Sequence, residues 1–91
     1  MAFYYALKGS ERMDFGEAIK ALKEGKEVAR KGWNGKRMYL YLADGELLTD
    51  AIGDDSFPFV DSVVMKTADD KYCIGWLASQ TDMLAEDWGI V

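Results

Sequence analysis

The chain contains no histidine, one cysteine and one proline among its 91 residues. Without histidine it lacks the commonest metal ligand and the side chain best suited to general-base work near neutral pH. With Cys73 alone it can build neither an internal disulfide framework nor the paired cysteines of a zinc site. There is no Walker-type phosphate loop, no Gly-x-Gly-x-x-Gly run, and no Ser or Cys nucleophile with a histidine base. These absences argue against zinc, redox and nucleophilic chemistry, and no cofactor, metal or catalytic residue is expected. No apolar run approaches the roughly 20 residues that span a bilayer, so no membrane association is expected. The opening Met1-Ala-Phe-Tyr-Tyr-Ala-Leu-Lys8 has neither a basic leader nor a small-residue cleavage site. No signal peptide is apparent, and a cytoplasmic location is expected.

What is present points to a small folded domain. Hydrophobic residues make up 49% of the chain and aromatics 13%, far from the composition of disordered segments. A chain this short buries only about two-thirds of its unfolded surface, so its core is modest and assembly would help it. The net charge of −5 argues against a general DNA or RNA binder. The charge is also divided: residues 1–43 hold nine Lys or Arg against five Asp or Glu, and residues 44–91 hold two against eleven. The halves therefore carry +4 and −9, which reads either as a solvated acidic surface that keeps a small protein soluble or, more sharply, as a local cationic rim on an acidic body.

The spacing predicts an α+β fold. Asp14 followed three positions later by Glu17 forms a capping-box-like helix start, and Gly25 is a natural stop. Between them Phe15, Ala18, Ile19 and Leu22 fall on one apolar stripe, which marks an amphipathic helix packed on a sheet. The period then changes to two. Glu27–Lys31 and Arg37–Ala43 read as strands, and Asp44-Gly45 as a hairpin turn returning into a strand over Glu46–Thr49. Gly53–Ser56 reads as a loop, Phe59–Thr67 as a longer strand, Asp69-Asp70 as a turn, and Lys71–Leu77 as the antiparallel partner. Cys73 lies within that partner strand, where a free thiol usually behaves as a small buried apolar group. Ser79–Ala85 fits a short helical turn capped by Ser79 or Thr81, with a terminal strand over Trp88–Val91. The expected domain is residues 13–91, and residues 1–12 form an N-terminal strand or arm that could pair with a neighbouring chain.

Two clusters carry the chemistry. Trp76-Leu-Ala-Ser-Gln-Thr-Asp-Met-Leu-Ala-Glu-Asp-Trp88 sets two indoles around Ser79, Gln80, Thr81 and Asp82, which suits a polar, ring-containing small molecule. Arg30-Lys31-Gly32-Trp33-Asn34-Gly35 adds a third indole, two cations and a carboxamide between glycines. Any of Trp33, Trp76 and Trp88 could instead belong to the core. Trp33 leans functional, because a turn between glycines is a poor place for an indole used only for packing. The paired acids Asp54 and Asp55, and Asp69 and Asp70, read as solvated turn residues rather than a Mg²⁺ site.

The segments Met13–Gly25, Arg30–Gly35 and Trp76–Trp88 resemble a small phage and prophage domain family, the second type of Thoeris anti-defence protein. The resemblance spans nearly all of residues 13–91. It implies a compact α+β protomer that assembles into a homotetramer with ligand pockets between subunits. It also implies a sponge that binds cyclic ADP-ribose-type immune signals, and in some relatives cyclic dinucleotides, without cleaving them. Acting in the infected bacterial host, such a sponge keeps a TIR-domain defence switched off. Trp33, Asn34 and the run Ser79, Gln80, Thr81 and Asp82 are the pocket residues implied. From their chemistry, Arg30 and Lys31 can meet a pyrophosphate, Trp76 or Trp88 can stack with Trp33, Asn34 and Gln80 can read base edges, and Asp82 can accept from ribose hydroxyls.

Nanomolar capture needs about −12 kcal/mol, and one or two stacked bases at about 1–3 kcal/mol each fall short, so charged hydrogen bonds must contribute. An acidic module that docks on a host protein is the alternative reading of the same charge pattern.

Overall fold

A computed structural model describes residues 8–33, 37–54 and 56–91. Its elements are strands β1 (Lys8–Met13), β2 (Val28–Arg30), β3 (Tyr39–Ala43), β4 (Ser62–Lys66), β5 (Tyr72–Ile74) and β6 (Trp88–Ile90), and helices α1 (Phe15–Lys23), α2 (Gly45–Ile52) and α3 (Gln80–Leu84). The strands form one six-stranded antiparallel sheet in the order β1-β6-β2-β3-β4-β5. The α+β expectation holds, with an amphipathic helix on an antiparallel sheet and a short helix before the last strand.

The first helix begins where its sequence says it should. The Asp14 carboxylate accepts from the Glu17 amide at 2.8 Å, and the Glu17 carboxylate accepts from the Asp14 amide at 3.1 Å, so two of the orphan donors at the helix start are satisfied reciprocally. Lys20 and Lys23 fall in the last turn, where the helix dipole favours cations. Gly25 follows with φ +85°. Ala18, Ala21 and Leu22 are buried, with Phe15 and Ile19 packed beside them. This stripe lies across β1, β6, β2 and β3. Val28, Leu40 and Trp88 complete the buried cluster from the sheet side.

The second helix corrects the sequence reading. Glu46–Thr49 is not a returning strand but part of α2, and Asp44-Gly45 is not a hairpin turn. Asp44 has extended backbone and its carboxylate accepts from the amides of Glu46 and Leu47, which makes it an N-cap. An Asp-Gly pair suits either role, and what decides is the segment that returns over the helix. The buried Gly45 amide donates to Asp61 Oδ1 at 2.8 Å, and the Phe59 carbonyl oxygen occupies the space a Cβ at Gly45 would need. Thr49 Oγ1 donates to the Gly45 carbonyl and accepts from the Phe59 amide, each at 2.7 Å. These bonds hold residues 59–61 against α2, so the strand predicted over Phe59–Thr67 begins only at Ser62.

The turn at Asp69-Asp70 is present, with Asp70 at φ +63° and its carboxylate between Arg37 and Lys66. It leads into β5, which is shorter than Lys71–Leu77. Cys73 on this strand is exposed rather than buried, because β5 is the last strand of the sheet. The β1 strand joins β6 of the same chain, with Lys8 opposite Ile90 and Met13 opposite Trp88. Asn34, Asp55 and residues 1–7 of the predicted arm lie outside the described residues. No helix among the described residues is long and apolar enough to cross a membrane.

Candidate functional site

Trp88 organises the region that both sequence clusters share. As the first residue of β6, a strand flanked on both sides, it faces α1 and is 1% exposed. Phe15 packs on it at 5.6 Å between ring centroids. Trp33 and Trp76 approach it edge-on at 5.4 and 6.3 Å, with interplanar angles of 78° and 80°. Edge-to-face contacts of this kind suit the aromatic quadrupole. Of the two indoles that flank the second cluster, Trp88 is the one the structure places in the protomer core. Trp33 and Trp76 remain half-buried, each with one part on the core and one part towards solvent.

The charged groups are bound to one another. Arg30 leaves β2 alongside Trp88, its register partner. Its Nη1 donates to Asp82 Oδ1 at 2.9 Å, and its Nε donates to Asp87 Oδ1 at 2.9 Å. The three side chains are only 15%, 15% and 25% exposed for Arg30, Asp82 and Asp87, so this is a largely desolvated triad rather than a solvated surface pair. Burial pushes both carboxyls upward, but the Arg30 hydrogen bonds, with Ser79 at Asp82 and the Gly32 amide at Asp87, hold each below the usual aspartate range. The Asp87 hydrogen bond raises Arg30 against the opposing effect of burial, and Asp82 adds to it. Arg30 thus pairs with two internal carboxylates, and Asp82 with Arg30 and the cap of α3.

The triad fixes the two segments that carry the exposed groups. Asp87 Oδ2 accepts from the Gly32 amide at 2.7 Å, and its carbonyl accepts from the Lys31 amide at 3.0 Å. These bonds shape the 3-10 turn Lys31–Trp33 and set the direction of the Trp33 indole. A Cβ at Gly32 would lie 2.9 Å from Asp87 Oδ2, so a larger residue there would displace the carboxylate from its close approach. On the other side Ser79 caps α3: its hydroxyl accepts from the Asp82 amide at 3.1 Å and donates to Asp82 Oδ2 at 2.9 Å. The indole N–H of Trp88 donates to the Asp82 carbonyl at 3.0 Å, tying α3 to the core. Gln80 and Thr81 on α3 and Lys31 on the turn are exposed.

Asp87 is the residue the sequence reading missed. It lies inside the segment that drew attention, one position before Trp88, and nothing local marked it apart from the other acids.

A separate depression lies elsewhere on the described residues. It is an open hollow of about 500 Å³ lined by Gly25, Lys26, Glu27, Ile90 and Val91, at the opposite ends of β2 and β6 from Arg30 and Trp88. It has no indole and mixes one cation with one carboxylate. The tryptophan region is the better site on chemistry, although a single protomer leaves it open.

This small antiparallel α+β unit, with an Arg-carboxylate triad bracing two half-exposed indoles, belongs to a recognisable class. Residues 13–91 match the Thoeris anti-defense 2-like domain, and the chain belongs to that family. It is 44% identical over 86 residues to the Thoeris anti-defense 2 protein of Bacillus phage SP01, an alignment that covers 88% of this chain and 96% of that protein.

Proposed function

We propose that this protein is a phage anti-defence sponge, which captures a cyclic ADP-ribose-type signal, or a related cyclic dinucleotide, and holds it intact so that Thoeris immunity is not triggered. The observation that carries the reading is the family match over residues 13–91, joined to the close relative named for Thoeris anti-defence. The site geometry supports it in a narrower form than the sequence suggested. Trp33 and Trp76 offer half-exposed indoles for base stacking, which contributes about 1–3 kcal/mol per base. Lys31 is the exposed cation suited to a pyrophosphate, and Gln80 and Thr81 are the exposed hydrogen-bonding groups suited to ribose and base edges. Arg30, Asp82, Asp87, Ser79 and Trp88 position those groups.

A pocket usually encloses 70–90% of a small ligand, and the open tryptophan region supplies only one wall. In this reading further copies of the chain supply the others, as a homotetramer in the cytoplasm of the infected cell, and no step turns the ligand over. Titration calorimetry with cyclic ADP-ribose isomers, followed by chromatography of ligand released by heating, tests it. Saturable heat and recovery of the unchanged cyclic compound are expected; absence of binding, or a linearised product, overturns it.

One observation favours the second reading. Residues 38–65 contain six Asp or Glu and no Lys or Arg. Within them α2 and the segment after it expose Leu47, Ile52, Phe57 and Val60 by 60–82%. Exposed apolar residues in a segment whose only charges are carboxylates suit a basic, apolar surface on another protein. Salt-sensitive binding to a host protein without small-molecule binding would favour this reading over the sponge.

A further inference from the structure

The connection from β2 to β3 carries Trp33, and carboxylates from two other parts of the sheet hold it. Near its start the Asp87 side chain, one residue ahead of β6, accepts from the Gly32 amide at 2.7 Å. Near its end stands Arg37, two residues before β3, where the anchor comes from the turn between β4 and β5. Arg37 Nη2 donates to Asp70 Oδ1 at 3.0 Å and to Oδ2 at 3.3 Å. Lys66, the last residue of β4, donates from Nζ to the Arg37 carbonyl at 3.0 Å and pairs with the same Asp70 carboxylate. Both the side chain and the main chain of Arg37 are therefore gripped, the first by Asp70 and the second by Lys66.

Stability does not account for this grip. Arg37 and Asp70 are the only residues other than glycine at positive φ among the described residues, at +57° and +63°. Left-handed backbone is unfavourable for a residue with a Cβ; the short polar side chain of aspartate tolerates it, and that of arginine seldom does. The ion pair that joins them offsets little of this, because the two side chains are 44% and 59% exposed. Strained residues persist where the surrounding structure must hold a binding surface in one arrangement. Lys66 is set differently. Its side chain is 12% exposed, with Tyr39 and Tyr72 as its register partners on the neighbouring strands, so its ammonium is held in place before it meets Arg37 and Asp70.

We propose that Asp70 is a positioning residue for ligand capture: with Lys66 it clasps Arg37, so that the connection already fixed at Gly32 by Asp87 is fixed at both ends and presents the Trp33 indole in one orientation. Trp33 lies four positions before Arg37, and over so short a stretch the freedom gained at one end is shared by the other. Asp70 touches no ligand and acts through the turn. A ring held in its binding orientation beforehand loses less conformational entropy when the ligand arrives, which tightens binding without any new contact. For its ligand the proposal rests on the sponge reading, whereas the clasp itself is measurable without one.

The test is Asp70→Gly in the full chain, which removes the carboxylate while glycine adopts φ +63° without strain, so the turn itself survives. Amide exchange read by mass over residues 31–38 should quicken roughly tenfold, with β6 keeping its native rate. The melting temperature should move by no more than about 2 °C. Affinity for the cyclic ADP-ribose isomer that the native chain binds, measured by calorimetry, should fall about five- to tenfold. Asp70→Asn keeps the left-handed backbone and an acceptor for Arg37, and should recover most of that affinity. Asp69→Ala alters the same turn at a residue paired with Lys71 and Thr67, and should match the native chain throughout. Arg37→Gly, equally free of backbone strain, serves if Asp70→Gly does not fold. Unchanged exchange over residues 31–38, unchanged affinity in a chain that binds ligand, or a melting temperature lowered by more than about 5 °C overturns the proposal. A native chain that binds none of the isomers refutes the sponge reading instead, and the exchange rates then decide the clasp by themselves.

Discussion

Replacing Asp87 by Ala removes the carboxylate on which the tryptophan region hangs. The side chain accepts from Arg30 Nε at 2.9 Å and from the Gly32 amide at 2.7 Å. A hydrogen bond to a charged group contributes about 1.5–3 kcal/mol, and the Arg30 bond belongs at the upper end because that guanidinium is only 15% exposed. The Gly32 bond contributes less, since Gly32 is exposed and water can replace the carboxylate there. Asp82 still pairs with Arg30, so the loss falls short of the 3–5 kcal/mol seen on stranding a buried charge, and about 2–3 kcal/mol is the expected cost. A domain of 91 residues has a total stability of roughly 5–14 kcal/mol, so this is a large fraction of it. The melting temperature should fall by about 10–20 °C.

Urea unfolding followed by tryptophan fluorescence measures the change, and Lys26→Ala provides the contrast. That lysine pairs with Glu24 at 3.3 Å with both side chains about half exposed, a setting in which ion pairs contribute little. A loss below about 1 kcal/mol for Asp87→Ala, or one no larger than that of Lys26→Ala, would refute the claim that the triad is structural.

The same triad sets the acid limit. Asp82 and Asp87 titrate lower in the folded state than in the unfolded one, so the folded protein binds fewer protons as pH falls. Their contribution is complete above about pH 4 and drains away as pH drops through the folded values. Urea midpoints measured from pH 6 to pH 2 should decline steeply for the native chain and more gently for Asp87→Ala. The indoles separate by burial: Trp88→Ala should cost about 3–5 kcal/mol and abolish cooperative unfolding, because it empties the core. Trp33→Ala should cost roughly 1–2 kcal/mol and stay folded, as a half-buried ring with one edge-on contact. If the sponge reading is right, that folded variant binds the cyclic ligand roughly 5- to 150-fold more weakly, the equivalent of one stacked base. An unfolded Trp33→Ala would place that indole in the core instead.

Local signals in the sequence were read correctly wherever the structure they specify is local. The box of Asp14 and Glu17, the apolar stripe behind it and the Ser79 cap each act within a few residues, and each was legible. The Asp44-Gly45 pair misled because N-cap and hairpin turn use the same residue types. The deciding partners, Phe59 and Asp61, lie more than a dozen positions away. The burial of Trp88 and the exposure of Cys73 depend on strand order. Both sit in short strands of similar composition, but β6 is enclosed by neighbours on both sides and β5 is not. The pairing of Arg30 with Asp82 and Asp87 bridges 52 and 57 positions, and no local pattern says which of the many acids a cation will meet.

The placement of β6 between β1 and β2 governs how the chain reaches its native state. Lys8 can find Ile90, and Val28 can find the same residue from the other side, only after nearly the whole described chain has been gathered. Closing loops of that size costs entropy before any contact rewards it. Folding should therefore be slow for so small a domain, in the millisecond-to-second range of non-local topologies. Once formed, the enclosed strand has no free side from which to peel, so the tryptophan cluster it carries should be among the last regions to exchange its amide protons.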